Sequence, residues 1–138
     1  MSFTKPLFLM ATATLFAAPA VAWEHTFARG LDLYSATDNG ATIRLVCDPN
    51  RVYGGTETMV LIVLGENSDL NTNATLAFPD GETVTAPLIH GRMSKRDLGD
   101  ATWAQLLDGL RNTPSVQLTV GGSSRELELG EATAFTCL

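Results

Sequence analysis

Hydrophobic positions in this chain recur mostly in short alternating runs, the period of strands buried on one face. Between residues 24 and 35, Phe27, Leu31 and Leu33 alternate in part with polar neighbours, and Asp38-Asn39-Gly40 follows. Asn-Gly predicts a hairpin because both residues tolerate positive φ. The partner strand spans residues 41–48, with Ile43, Leu45 and Cys47 on one face and Thr42, Arg44 and Val46 on the other. Cys47 therefore points inward. Pro49-Asn50 ends this strand and Tyr53-Gly54-Gly55 turns the chain. Met59 through Leu64 is apolar without alternation, the pattern of a strand covered on both faces and central in its sheet.

A polar stretch over residues 65–73 leads to a short strand at 74–78, and Pro79-Asp80-Gly81 makes the next turn. Residues 83–89 read as a strand holding Pro87, which has no N–H for a ladder and so confines it to an edge or ends it early. One helix is expected over residues 101–112. Asp100 suits its N-cap, Trp103, Leu106, Leu107 and Leu110 form one stripe, and Pro114 stops it. Residues 115–120 and 125–129 alternate around Gly121-Gly122, a second hairpin with Val116, Leu118, Val120, Leu127 and Leu129 inward. The tail over 130–138 fits a strand or a helical turn, and either form turns Phe135 and Cys137 inward. The expected fold is mainly β: a small antiparallel sandwich or open barrel of about seven to eight strands, with one amphipathic helix packed on it.

Composition adds the compartment. Residues 1–22 have the pattern of a secretory signal: Lys5 is basic, residues 7–18 are apolar but too short to span a bilayer, and Ala20-Val21-Ala22 offers a small-residue cleavage site. Cleavage before Trp23 leaves one β-rich domain over 23–138, in the periplasm or secreted. No later apolar run is long enough for an integral membrane segment. The mature part carries 8 basic against 15 acidic residues, about minus 7, a surface that repels phosphate backbones and argues against nucleic acid as a partner. Two cysteines in an exported chain predict one disulfide, Cys47 to Cys137, and closing so long a loop contributes roughly 4 to 5 kcal/mol as an upper figure.

Candidate chemistry is sparse. If Trp23 is the mature terminus, its amine, two backbone amides and the His25 imidazole can wrap Cu(II) or Ni(II) in a square plane of four nitrogens. The competing reading is that His25 simply begins the first strand; cleavage after Ala20 would abolish the metal site. His90 and Met93 make at most a weak soft-metal pair, against a surface loop with Met93 tucked inward. A closed zinc site lacks ligands. No Gly-x-Ser-x-Gly occurs, Ser2-Phe3-Thr4-Lys5 leaves with the signal, and Glu126 and Glu128 alternate with leucines as solvated residues do. The basic cluster Arg92, Lys95 and Arg96, flanked by Asp97 and Asp100, reads as a solvated turn or an anion site.

Leu45-Val46-Cys47, Trp103, the Gly121-Gly122 hairpin and the run from Leu129-Gly130 through Ala134 to Cys137 resemble the invasion-associated locus B family and related periplasmic beta-sandwich proteins. The resemblance implies a non-enzymatic envelope protein and carries over no site residue. The expected function is thus protein binding, as an accessory, adaptor or inhibitor of an unidentified envelope or secreted partner. Residues 65–73 and 90–97 are the expected contact surfaces, including Arg92, Lys95 and Arg96. The alternative is a copper or nickel binding protein.

Overall fold

The computed structural model describes residues 12–14 and 23–137; the signal pattern, including Ala20 to Ala22, lies almost wholly outside them. Its elements run β1 (Glu24–Ala28), β2 (Leu31–Asp38), β3 (Ala41–Cys47), β4 (Met59–Leu64), β5 (Asn73–Ala77), β6 (Thr83–Pro87), β7 (Arg92–Ser94), α1 (Lys95–Leu98), α2 (Asp100–Asn112), β8 (Ser115–Val120) and β9 (Ser123–Glu128). Strands order as β1-β2-β3-β4-β7 in one sheet and β6-β5-β8-β9 in the other, with all neighbours antiparallel. This is a sandwich, and its nine strands among the described residues exceed the expected seven to eight.

One extra strand comes from a turn with little sequence signal. Arg29 (φ 53°) and Gly30 (φ 83°) form a two-residue hairpin that splits the single expected segment over 24–35 into β1 and β2. The Asn39-Gly40 hairpin joins β2 to β3 as its composition predicts, with φ of 50° and 70°. Arg125 Nη1 donates to both carbonyls of that turn, and Asn39 Nδ2 donates to the Glu126 carbonyl at 2.7 Å. These bonds tie the two sheets together at one end.

Ile43, Leu45, Val60, Ile62, Leu76, Leu118 and Leu127 fill a single core shared by both sheets and α2. β4 lies inside its sheet between β3 and β7, and its inward Val60 and Ile62 are fully covered. Leu61 and Val63 remain half-buried on the outer face, where Arg44 and Arg92 flank Leu61. Its continuous apolar pattern thus marks an internal strand rather than complete burial. β6 is an edge strand and ends on Pro87, as a residue without an N–H requires.

Asp100 is the first residue of α2 rather than its cap. Gly99 (φ 81°, ψ 164°) ends α1 with its N–H and starts α2 with its carbonyl, and no side chain caps α2. That backbone region is nearly closed to residues with a Cβ, so a single glycine makes the joint. A glycine in place of a side-chain cap forfeits about a few tenths of a kcal/mol. Burying Trp103, Leu106, Leu107 and Leu110 contributes roughly 2 kcal/mol for each side chain and easily outweighs that loss. The tail adopts neither expected form: residues 130–137 are irregular, though Phe135 and Cys137 are buried.

Gly109 sits mid-helix against the buried Phe78 ring, and a Cβ there would overlap three ring atoms. Gly109→Ala should therefore lower stability by up to about 2 kcal/mol in urea unfolding, because overpacking of about 1 to 3 kcal/mol opposes a helix-propensity gain of about 1 kcal/mol. A stabilised variant would show that Phe78 moves aside cheaply.

Candidate functional site

The loop over residues 49–58 is built around one carboxylate. Asp48, buried at the end of β3, accepts backbone N–H bonds from Val52 at 2.8 Å, Tyr53 at 2.9 Å and Gly55 at 3.3 Å. Burial pushes its carboxyl up, but the three amides and neighbouring Arg51 outweigh that and hold it below the usual carboxylate range. The loop ends where the Thr58 carbonyl accepts the Lys95 N–H at 3.1 Å. Ser94 caps α1 by accepting from the Asp97 N–H.

Between this loop and the helix pair lies a cleft of about 350 Å³. Arg51, Gly54, Gly55, Thr56 and Thr58 line one side, and Lys95, Arg96, Gly99 and Asp100 the other. Two of the three expected contact cations, Lys95 and Arg96, thus meet Arg51 here. Arg92 is not among the lining residues: it lies exposed on β7, with Leu61 as its cross-strand partner. Of the basic residues that look like a solvated turn, Lys95 and Arg96 lie in α1 instead. Arg51, at φ 53° in a loop, carried no periodic signal, and only its tertiary neighbours reveal it.

A second constellation surrounds the tail. Cys47 and Cys137 form the expected disulfide, with Cα atoms 4.6 Å apart. Beside it, the Thr136 hydroxyl donates to Asp32 Oδ2 at 2.6 Å, and His25 Nε2 lies 2.6 Å from Asp32 Oδ1. The imidazole stacks on Tyr34, with ring centroids 4.6 Å apart. Phe135 meets Trp23 and Tyr34 edge-on, and Arg111 lies over its ring. His25 is the second residue of β1. Its contact with Asp32 runs through Nε2, and among the described residues no hydrogen bond reaches Nδ1. Thr136 hydrogen-bonds the carboxylate, so this His-Asp pair does not address it as a base addresses a nucleophile.

The two expected contact segments, residues 65–73 and 90–97, are bonded to each other. His90 Nδ1 lies 2.6 Å from Asp69 Oδ1, its N–H donates to Asn71 Oδ1, and Gly91 N–H donates to the Leu70 carbonyl. Gly91 (φ 75°) packs so tightly on the Ser68 and Ile62 carbonyls that no Cβ would fit. Met93 is buried while the His90 side chain is largely exposed, so the pair does not converge on a shared ligand position. Among the described residues, no three His, Cys, Asp or Glu side chains gather as a metal cluster, and no helix is long and apolar enough to cross a membrane. Comparison with known protein families, curated proteins and solved structures finds no match.

The Thr136 hydroxyl, opposed by burial and helped by His25, holds the Asp32 carboxyl below its usual range. A lowered folded pKa gives stability that is complete above the unfolded value of about 3.9 and lost as pH falls through the folded value. Thr136→Val should consequently lower the melting temperature most at about pH 7, and the gap from the parent should narrow as the pH falls below about 3.9. A gap that stays constant across that range would remove Asp32 as the group responsible.

Proposed function

We propose that this chain is an exported, non-enzymatic envelope protein that works by binding another protein, as an accessory, adaptor or inhibitor. The observation that carries the reading is the cleft. On a chain of formal net charge minus 6, three cationic side chains gather along one concavity whose walls are a carboxylate-ordered loop and a capped helix. Arg51 and Arg96 offer planar forks suited to paired bonds with a carboxylate. The volume is at the small end for ligand sites, which suits an acidic side chain or chain end of a partner more than a bulky metabolite. Asp48 and Asp100 on the same lining would repel an acidic segment of the wrong spacing and so narrow the choice.

Export draws support from the signal pattern over residues 1–22 together with the disulfide. The resemblance to the invasion-associated locus B family points the same way. Against catalysis stands the Asp32-centred network, whose hydroxyl is tied to the carboxylate.

The test is capture from envelope extract on immobilised oxidised protein. Arg51→Ala with Arg96→Ala should lose a partner that the parent retains and that raised salt elutes, because cleft contacts of this kind are charge-dependent. Retention of every captured protein by the double variant would reject the cleft as the contact surface.

A second reading has its own observation. The Asp32 carboxylate occupies His25 Nε2, and Nδ1 is the nitrogen that closes a six-membered chelate ring with the histidine's own amide. A protein that begins at Trp23 could therefore hold copper or nickel at Trp23-Glu24-His25, with Asp32 orienting the imidazole. Copper titration of that protein should give a visible four-nitrogen band saturating at one equivalent and lost in His25→Ala. Absence of the band ends this reading without touching the first.

A further inference from the structure

We infer that β1 is a docking edge for a second copy of this chain, paired antiparallel about a two-fold axis through Thr26. The inference concerns a surface separate from the cleft and does not depend on it.

Three of the four sheet edges are guarded. β7 is only three residues long, and β6 ends on proline. On β9, the Glu126 carbonyl and the Glu128 N–H are already taken by the Asn39 and Asp38 side chains. β1 has none of the devices that blunt an edge. It contains no lysine, proline or bulge, all five residues are exposed, and its one carboxylate, Glu24, stands at its end.

The hydrogen-bond phase selects the register. In a two-residue hairpin the residues flanking the turn exchange both backbone bonds, and bonded pairs then alternate. With Ala28 opposite Leu31 across Arg29-Gly30, Glu24, Thr26 and Ala28 face β2. The backbone groups of His25 and Phe27 face outward. The Asn39-Gly40 hairpin gives the same phase independently, since it turns the even-numbered residues of β2 toward β3 and leaves the odd ones for β1.

A two-fold pairing centred on Thr26 sets His25 of each copy opposite Phe27 of the other. All outward donors and acceptors of both strands then match in four backbone bonds. His25 and Phe27 share the inner face of the sheet, because their cross-strand partners Tyr34 and Asp32 are buried. Phe27 is nevertheless 62% exposed. The pairing covers it with an imidazole, a favourable cross-strand aromatic pair. Glu24 falls opposite Ala28 of the second copy, so no like charges meet, and Trp23 falls opposite Arg29. Exposed Val52 and Tyr53 lie at that same turn: Val52 covers Gly30, and the Tyr53 hydroxyl donates to the Arg29 carbonyl. They would flank the second copy's Trp23 and extend the apolar contact beyond the strand.

Sedimentation across a concentration series, with a cross-linking variant, tests this. The parent should pass from monomer to dimer as concentration rises. Directly opposed residues in an unbonded antiparallel pair have Cα atoms about 4.5 Å apart, so Thr26→Cys should form a covalent dimer under mild oxidation, whereas Glu24→Cys should not. Phe27→Pro removes an outward N–H without touching the ladder to β2, so it should abolish association while the melting transition and the Cys47–Cys137 bond persist. A parent that stays monomeric throughout, or a dimer that survives Phe27→Pro with no Thr26→Cys cross-link, overturns the assignment.

Discussion

The covalent tie between Cys47 on β3 and Cys137 in the tail, 90 residues apart in sequence, decides the shape of one whole side of the sandwich. Five strands face four, and part of the inner face of β2, at Tyr34 and Asp32, is met by the tail. The tail takes that place without any strand ladder to hold it. Its hold comes from side chains: Phe135 between Trp23 and Tyr34, Thr136 on Asp32, and Arg111 reaching the Phe135 carbonyl. Each such contact contributes little alone against the entropy of an ordered chain end. The disulfide removes part of that entropy in advance, since the loop it closes is nearly the length of the domain.

The same asymmetry leaves β1 overhanging. His25 and Phe27 point to the inner face, but the tail reaches only far enough to occupy Tyr34 and Asp32. His25 is half-covered by stacking and by its carboxylate, and Phe27 is left in solvent. This uncovered inner-face aromatic is what makes the first strand the proposed docking edge.

Residues 49–58 link the two surfaces. With Asp48 gathering its amides, the loop presents Arg51 and Thr56 to the cleft, while Val52 and Tyr53 lie on the β1 to β2 turn. The helix pair completes the cleft because Gly99 bends the chain sharply between α1 and α2. One buried carboxylate and one glycine therefore set the position of the cationic groups, although neither group needs to touch a partner.

Much of the architecture is readable from local rules. Asn39-Gly40 specifies its hairpin, the four-residue stripe from Trp103 to Leu110 specifies a helix with one buried face, Pro87 specifies an edge, and two lone cysteines specify a bond. Each depends on period or turn chemistry within a dozen residues, or on a count of two. What escaped depends on distant neighbours. Arg29 adopts a positive φ that arginine seldom prefers, so its turn gave no signal; the turn over 49–55 is legible, but the positive φ of Arg51 within it is not. β7 is too short to show a period, α1 hides in a charged run, and the tail is ordered by a bond and an aromatic pocket rather than by its own propensity. The Asp32 network and the cleft join residues scattered across the chain, and no local pattern encodes such meetings. By itself the chain's order of residues determined which segments pair, turn and bury; only the tertiary packing decided which polar groups would converge, because that depends on which side of each sheet runs out of cover.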